Sequence, residues 1–455
     1  MAKPTPLSGF PELLPAQRVV EQQVVDTLRH TFELHGFAGI ETRAVEPLNQ
    51  LLRKGDTSKE VYLLRRLHEE SAEGHAGIGL HFDLTVPFAR YVLENAGKLE
   101  FPFRRYQVQK AWRGERPQEG RFREFTQADI DIVGRDELPF HHDVEVTRVM
   151  VDALTRLDFL PAFRLQVNNR KLIQGFYTGL GVTDTDEVMR VVDKLDKLPV
   201  EKVRDMLVAE SGLAPETADR VLALATIRAT DDSFVTHVRR LGVEDPLLDE
   251  GLAELAELVC SCADLVGERV QVVADLSIAR GLDYYTGTVF ETRLEGYESL
   301  GSICSGGRYD ALASDGRTTY PGVGISLGVS RVVVPLLART GLTASRSVPS
   351  AVLVALADED SRAEANEVAA ALRARDVPCE VVANAQKFGK QIRYAERRGI
   401  PYVWFRTADG HQVKDIRTGD QVDADPSSWT PPTADLRPIV VAAAPDHPNT
   451  SKENQ

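Results

Sequence analysis

The stretch from residue 103 to residue 134 constrains the fold of this chain more than any other. It contains two runs of strand length, FRRYQVQKAWR and RFREFTQADIDIVG, on either side of the loop GERPQEG. Glycine and proline in the loop favour a reversal of the chain. The stretch therefore predicts an antiparallel hairpin with a long tip.

The second run of this hairpin alternates in an informative way, because successive side chains of a strand point to opposite faces. One face is predicted to carry Arg121, Arg123, Phe125, Gln127, Asp129 and Asp131. Arg113, which closes the first run, is expected almost opposite Arg121, and facing like charges are destabilising unless something neutralises them. A bound polyphosphate would do so. A solvated strand face is an equally good interpretation of this stretch alone.

The length, charge and cysteine content of the chain exclude several classes of protein. The chain has 455 residues, four cysteines and a formal net charge of −14. This length predicts two or three domains, and the negative charge argues against non-specific coating of nucleic acid while allowing a local basic patch. The cysteines form no CxxC pair, and the N-terminus lacks the layout of a signal peptide. We therefore expect a reduced, cytoplasmic protein that does not enter a membrane.

Regular elements are predicted on both sides of the hairpin. Apolar residues recur every fourth position over 16–36, which predicts a helix, and a strand over 37–46 follows. Residues 80–85 are predicted as a strand that exposes Asp83 and Thr85 on one face, before a helix over 86–95. A carboxylate at this position is also a common helix N-cap. A further helix over 143–157 and a strand over 163–167 are predicted downstream.

The sequence pattern changes from strand-rich to helical between residues 170 and 265. Helical periods with caps and breakers dominate this block, including a predicted capping pair of Asp184 and Glu187. Because strand-rich regions flank it, the block is interpreted as a helical insertion. No motif within it predicts a chemistry.

Two polar clusters follow the insertion. ARGLDYYTGTVFE, which begins at residue 279, places Arg280, Tyr284 and Tyr285 close together, and SICSGGRYD begins at residue 302. An arginine among apolar neighbours must be paired or bind an anion, and glycine pairs let backbone approach a ligand. Each cluster could also be a tight turn with a satisfied arginine. Their proximity in the chain favours a binding site.

A glycine series in PGVGISLGVSRVVVPLL comes next, with Arg331 predicted in the first turn of a helix. The spacing of Gly322, Gly324 and Gly328 differs from the dinucleotide-binding fingerprint. The glycines are interpreted as a flat strand surface on which a purine and an arginine can stack.

The remainder of the chain, residues 348–443, alternates strand and helix and predicts a small α/β domain with parallel strands. Lys390, Arg393 and Arg397 share one predicted helix face, which is either solvated or a contact for RNA. The polar tail 444–455 is predicted to be disordered.

These residues together resemble a known family. Arg113 and Phe125 on the hairpin, and the glycine series that leads into Arg331, resemble motifs 2 and 3 of class II aminoacyl-tRNA synthetases. The helix and strand that end at Pro47 are similar to motif 1, a dimer-interface element. RGLDYYTGTVFE and SGGRYD are closely similar to two signatures of the histidyl-tRNA synthetase family. The family's motif 3 ends in Glu-Arg, whereas this chain has Ser330 before Arg331.

The resemblance implies an α+β catalytic domain built on an antiparallel sheet, the class II synthetase fold, from residues 1–169 and 266–342. It also implies the helical insertion 170–265 and a C-terminal α/β anticodon-binding domain over 348–443. The activity implied is ligation of L-histidine to tRNA(His) by a homodimer, with ATP as substrate, Mg²⁺ on its phosphates and no metal held by protein side chains. Two alternatives are a non-catalytic regulatory subunit of histidine biosynthesis and a class II synthetase for another amino acid.

Residue roles are implied in the same way. Arg113 and Arg280 are the implied catalytic residues. The implied ATP-binding residues are Arg113, Glu115, Arg121, Phe125 and Arg331. The implied histidine-binding residues are Asp83, Thr85, Arg113, Gln127, Asp131, Arg280, Tyr284 and Tyr285. Within this set, Asp83 and Thr85 take the α-ammonium, Gln127 the carboxylate side, and Asp131 and Tyr285 the imidazole. The implied tRNA contacts are Arg116, Gln118, Lys390 and Arg393.

Overall fold

The computed structural model describes residues 5–52, 60–67, 77–279, 285–310, 313–408 and 410–442. Arg280, Tyr284 and the tail 444–455, on which sequence predictions fall, lie outside these residues. The described residues group into two compact units, the first from Met1–Pro11 and Val24–Val332 and the second from Glu12–Gln23 and Val333–Gln455. The predicted domain boundaries stay predictions.

The helices are α1 (Pro15–Leu34), α2 (Leu48–Leu51), α3 (Thr85–Asn95), α4 (His141–Thr155), α5 (Arg170–Gly179), α6 (Thr185–Val192), α7 (Val200–Ala209), α8 (Pro215–Ala225), α9 (Ser233–Arg239), α10 (Pro246–Ser261), α11 (Val329–Thr340), α12 (Arg362–Arg373), α13 (Phe388–Arg398) and α14 (Thr433–Leu436). In the described part of the chain, no helix is long and apolar enough to cross a membrane.

The strands are β1 (Ala38–Gly39), β2 (Val45–Pro47), β3 (Leu63–Leu64), β4 (Ile78–Leu80), β5 (Phe103–Trp112), β6 (Glu124–Val133), β7 (Phe163–Asn169), β8 (Arg228–Ala229), β9 (Val270–Asp275), β10 (Thr288–Leu294), β11 (Cys304–Tyr309), β12 (Gly322–Gly328), β13 (Thr343–Ala344), β14 (Val352–Val354), β15 (Cys379–Val381), β16 (Tyr402–Thr407), β17 (Gly410–Asp415), β18 (Gln421–Asp423) and β19 (Val440–Val441).

A single sheet organises the first unit. Among the described residues it has nine strands in the order β1-β5-β6-β12-β11-β10-β7-β9-β8. The five neighbouring strands from β5 to β10 pair antiparallel, as does β10 with β7, whereas β1 pairs parallel with β5 and β7 with β9. The predicted hairpin is confirmed as β5 and β6, with Trp112 opposite Glu124 at its tip.

The N-terminal elements agree with the sequence in part. In α1 the apolar positions Val20, Val24, Leu28 and Phe32 are all buried, and Gly36, with φ of +78°, follows the helix end. The single strand predicted over 37–46 is wrong, because β1 and β2 are separate and join different sheets.

The strand predicted over 80–85 is also wrong. Strand β4 ends at Leu80, and α3 begins at Thr85. The Asp83 carboxylate accepts a hydrogen bond from the Val86 backbone N–H at 3.0 Å. Such a bond satisfies an amide at a helix start that has no partner within the helix, and it favours the helix over continued strand.

The insertion is mostly helical, as predicted. The Asp184 carboxylate caps α6 by accepting from the Glu187 N–H at 2.9 Å. Helices α5 and α10 approach closely, because a Cβ on Gly175 would lie 2.2 Å from the backbone nitrogen of Leu248. The short strand β8, which pairs with β9, departs from an all-helical block.

The second unit contains a five-stranded sheet in the order β15-β14-β16-β17-β18 among its described residues. The first three strands are parallel, as predicted, and β17 and β18 continue the sheet antiparallel, which was not predicted. Buried side chains of β14, α12 and β16, including Leu353, Leu372 and Trp404, form its core. The fold class is therefore confirmed: an α+β unit on a largely antiparallel sheet and an α/β unit.

Candidate active site

Four adjacent strands of the large sheet align their polar residues in rows. One row is Arg105, Asp131, Gly324 and Gly307 on β5, β6, β12 and β11. The next is Gln107, Asp129, Ser326 and Ser305, and a third is Gln109, Gln127 and Gly328. Directly opposed residues of antiparallel strands lie on the same face. The rows therefore form one polar floor.

A cleft that is open to solvent lies over this floor. The predicted residues that line it are Asp83, Thr85, Arg113, Glu115, Arg121, Phe125, Gln127, Tyr285 and Arg331. The cleft is also lined by Gly120, Phe122, Ser302, Ile303, Ser305, Ser326 and Gly328. The hairpin, the start of α3, the strand–helix junction and the end of the RGLDYY segment thus meet at one place.

Arg113 is anchored at the start of the hairpin loop, directly after β5. Its Nε–H donates to the Phe82 carbonyl at 2.9 Å, and its guanidinium carbon lies 5.2 Å from the centre of the Phe125 ring. The Arg113 backbone N–H donates to the carbonyl of Arg123, so Arg123 and not Arg121 stands opposite. Arg121 lies 3.5 Å from the Glu115 carboxylate instead. The predicted opposition of Arg113 and Arg121 is therefore wrong by two residues along the chain.

Arg331 is held by backbone carbonyls. Its Nε–H donates to the Gly120 carbonyl at 3.0 Å and its Nη1 to the Ser302 carbonyl at 2.6 Å. The preceding Ser330 does not support Arg331. Its Oγ accepts a hydrogen bond from the Thr126 backbone N–H at 2.8 Å. The substitution of Ser330 for the family's glutamate therefore leaves Arg331 supported, by the motif 2 loop and the segment before β11.

Gly322 and Gly324 of the glycine series have a packing function that the sequence did not predict. A Cβ on Gly324 would lie 2.2 Å from Oδ1 of Asp131, and one on Gly322 would lie 2.5 Å from the Tyr309 ring. On β11, a Cβ on Gly307 would lie 2.7 Å from the Tyr285 ring. Such approaches exclude any larger residue. These glycines make room for side chains of the protein itself. Gly328 lines the cleft, and for it the surface on which a purine can stack stays a prediction.

Asp131 is buried beside the cleft and does not line it. Its Oδ2 lies 2.6 Å from Nη2 of the fully buried Arg105, and its Oδ1 accepts from the Tyr309 hydroxyl at 2.8 Å. The Arg105 guanidinium also lies 4.2 Å from the centre of the Phe88 ring. Sequence reasoning missed Arg105 and Tyr309. The alternation of Arg105, Gln107 and Gln109 on the first hairpin strand was the signal available.

A buried ion pair supports the segment that carries Tyr285. Arg308 and Asp143 approach to 2.5 Å, and Arg308 also donates to the Leu138 carbonyl at 2.9 Å. The Arg308 carbonyl accepts from the Thr286 N–H at 2.8 Å, next to Tyr285. Arg308 thereby ties the strand β11 and this segment to α4, a second contribution that the sequence did not predict.

Gln127 and Asp129 form a network with Ser326. The Gln127 Nε2 donates to Oδ1 of Asp129 at 3.0 Å and also to the Ser326 hydroxyl, which in turn donates to Asp129. Burial raises the pKa of Asp129 above the usual value of an aspartate, against the opposing charge of Arg105, whose Nη2 is 3.9 Å away. Asp129 was placed on this face by the sequence but given no role.

The residues predicted to contact tRNA lie outside the cleft. Arg116 and Gln118 are exposed on the hairpin loop, where Gln118 and Arg121 exchange backbone hydrogen bonds. In the second unit, Lys390, Arg393 and Arg397 are exposed on α13 and border one groove, as their predicted common face requires.

The first unit has a largely antiparallel sheet whose hairpin carries Arg113, and Arg331 lies beside it where β12 leads into α11. Together with the α/β unit, this arrangement is that of a class II aminoacyl-tRNA synthetase. The histidyl-tRNA synthetase family model matches residues 9–332, and an anticodon binding domain model matches residues 350–425. The chain belongs to the histidyl-tRNA synthetase family.

Relatives agree with this assignment. The chain is 58% identical over 453 residues to the histidine–tRNA ligase of Cutibacterium acnes, covering 97% of this chain and 99% of that protein. It is 58% identical to that of Micrococcus luteus, covering 97% and 100%. The crystal structure of histidyl-tRNA synthetase from a Nostoc species superposes with a TM-score of 0.82 at 33% identity, covering 93% of this chain and 97% of that one. These likenesses favour the ligase over the regulatory subunit.

Proposed function

We propose that the cleft activates L-histidine with ATP and then transfers it to the 3′ end of tRNA(His). The observation that carries this proposal is the convergence of Arg113, Phe125, Arg331, Asp83 and Tyr285 on one cleft. The set combines cations for phosphates, an aromatic face for a base and polar groups for an amino acid.

The first step joins two substrates without a protein nucleophile. A carboxylate oxygen of histidine attacks the α-phosphorus of ATP, and the bond to pyrophosphate breaks with its electron pair leaving on pyrophosphate. Negative charge builds on the non-bridging oxygens, which fixed cations stabilise. Arg113 suits this role because Phe82 anchors it through Nε, which leaves its terminal nitrogens for the α-phosphate. We assign Arg331 to the γ-phosphate and Phe125 to the adenine ring, with Glu115 and Arg121 beside it.

Histidine recognition follows from the polar floor. We assign Asp131 and Tyr285 to the two imidazole nitrogens, as the resemblance implies, with Tyr285 in the cleft lining and Asp131 held directly beside it by Arg105 and Tyr309. Gln127 donates through Nε2 to Asp129, so its remaining group is the acceptor Oε1. An acceptor suits the α-ammonium, with Asp83 and Thr85, better than the carboxylate side expected from the resemblance. Arg280 and Tyr284, outside the described residues, keep the roles that the resemblance implies.

We propose that Mg²⁺ enters this site as a companion of ATP. Within the described residues, no group of three or more His, Cys, Asp or Glu side chains could hold a metal, and the Glu115 carboxylate is already near Arg121. We propose that Mg²⁺ is held chiefly by the triphosphate. When bound, it neutralises phosphate charge.

In the second step, a hydroxyl of the terminal ribose attacks the histidyl carbonyl, and AMP leaves. We propose that Arg116 and Gln118 contact the acceptor end and that Lys390 and Arg393 contact the anticodon region. The exposure of all four supports these assignments. We place the reaction in the cytoplasm, in keeping with the free thiols of all four cysteines.

Reversing the charge of the α13 face is expected to impair tRNA use alone. The double variant Lys390→Glu/Arg393→Glu should raise KM for tRNA(His) at least ~10-fold, because each lost phosphate contact weakens binding and lowers its salt dependence. Aminoacylation at several salt concentrations measures this. Lys98→Glu, at an exposed position of the first unit, is the control. Unchanged KM in the double variant would refute the assignment.

We propose a homodimer that uses the small sheet β2-β4-β3. Leu63 and Ile78 are 65% and 45% exposed on this sheet, and Leu67, three residues after β3, is 93% exposed. Contiguous exposed apolar side chains mark interaction surfaces. Leu67→Asp should therefore shift the sedimentation-equilibrium mass toward the monomer, whereas Val200→Asp, on exposed α7, should not. A dimer that withstands Leu67→Asp would place the interface elsewhere.

Histidine-dependent ATP–pyrophosphate exchange tests the proposed activity. The purified protein should catalyse exchange with histidine and with no other member of an amino-acid panel, since a site built around hydrogen bonds rejects analogues that leave them unmade. Exchange with a different amino acid would show that the imidazole assignment is wrong. Histidine binding without exchange would support a regulatory subunit.

A further inference from the structure

Within the part of the chain that the structure describes, the side-chain amide of Gln127 makes hydrogen bonds through its nitrogen only. Its Nε2 donates to both carboxylate oxygens of Asp129, at 3.0 and 3.3 Å, and to the Ser326 hydroxyl. Asp129 and Ser326 face each other across β6 and β12, and Gln127 lies two residues before Asp129 on the same face. The Ser326 hydroxyl donates its hydrogen to Asp129, so towards Gln127 it can only accept, and the amide turns its nitrogen to Asp129 and Ser326.

The oxygen of the amide is buried and lacks a hydrogen-bond partner among the described residues. Gln109, directly opposite Gln127 on β5, donates its Nε2 to the Thr42 carbonyl and accepts from Gln107 through Oε1. Gln127 is 6% exposed, and its Oε1 has no hydrogen-bond partner among the described residues. Gln127 also lines the cleft. A buried acceptor without a partner is costly unless a ligand supplies the donor.

We propose that Asp129 and Ser326 are positioning residues that lock the Gln127 amide with its oxygen toward the cleft, which makes the site selective for a substrate that carries an ammonium group. The inference rests on the proposed function, and it deepens it by naming what sets ammonium selectivity. Neither residue touches the substrate in this scheme.

Because Arg105 is positively charged, a neutral amide at position 129 cannot hold the Gln127 amide as the Asp129 carboxylate does. In an Asp129→Asn variant, Arg105, 3.9 Å from Oδ2, attracts the asparagine oxygen to its side. The asparagine nitrogen then takes the place of Oδ1, the oxygen closer to the Gln127 Nε2, and the asparagine oxygen keeps only the longer contact of 3.3 Å. Two donors cannot bond, so the Gln127 amide turns over and presents its nitrogen to the cleft. A donor there repels an ammonium but still bonds a hydroxyl.

Two ligands separate this effect from a general loss of structure. Histidinol keeps the ammonium of histidine, and imidazolelactate carries a hydroxyl in its place. In Asp129→Asn, the calorimetric Kd for histidinol should rise at least ~10-fold, the cost of one opposed polar group, while that for imidazolelactate should change less than about threefold. ATP binding should be unchanged, which reports that the variant is folded. Ser326→Ala, which leaves the Asp129 carboxylate in place, should raise the Kd for histidinol only about twofold to threefold.

A compensating change provides the decisive control. Asp129→Asn combined with Gln127→Glu lets the asparagine nitrogen donate to the new carboxylate, whose other oxygen faces the cleft. Histidinol affinity should return to within about threefold of the unsubstituted protein. Equal losses for both ligands, or no recovery in the double variant, would overturn the proposal. If the unsubstituted protein binds neither histidinol nor histidine, the proposed function itself fails.

Discussion

Replacing Arg113 by alanine is expected to lower histidine-dependent ATP–pyrophosphate exchange by roughly 10³-fold. The guanidinium is positioned before substrate arrives, by the bond to the Phe82 carbonyl and the neighbouring Phe125 ring. A fixed cation aimed at charge that develops in the transition state costs no reorganisation during the reaction, and loss of one such donor typically costs 10²–10³-fold in rate. Exchange kinetics with purified variant protein measure the effect.

The loop itself supplies the control. Arg116 is exposed three residues further along, outside the cleft lining. Arg116→Ala should leave exchange within about twofold of normal and impair only aminoacylation of tRNA. A loss in Arg113→Ala that appears solely in KM would show that Arg113 binds substrate equally in ground and transition states. That outcome would remove it from the catalytic residues.

Replacing Arg308 by methionine is expected to lower the free energy of unfolding of the first unit by about 3–5 kcal/mol, because it leaves the Asp143 carboxylate buried without its partner. The pair lies inside the fold, where Arg308 also donates to the Leu138 carbonyl. Urea unfolding, followed by a probe in the first unit, measures the change.

The double variant Arg308→Met/Asp143→Leu should recover most of that loss, since a buried ion pair replaced by apolar groups of similar volume is often neutral. Recovery of stability without recovery of the histidine KM would show that Arg308 also positions the Thr286 segment. A single variant as stable as the original protein would contradict the buried-pair argument.

Sequence patterns predicted correctly those helices and strands whose signals lie within the segment itself. The hairpin, α3 and the helix that carries Arg331 follow from period, turn residues and helix-start residues that lie within each segment. The strand predicted over 80–85 failed because Asp83 can continue an alternation or cap a helix, and the bond to Val86 favours the cap. Two-residue strands such as β1 and β8 carry no periodic signal at all.

The sequence by itself determined the family, the helix and strand content of the hairpin, and most residues that line the cleft. It did so because signature motifs and side-chain periods are local properties of the chain. Only the tertiary structure decided how these residues are held. Arg331 relies on the Gly120 and Ser302 carbonyls, Asp131 on Arg105 and Tyr309, and the glycines of β12 make room for those side chains. These contacts depend on strand register between segments far apart in sequence, and a register shift of one residue would turn every side chain to the other face.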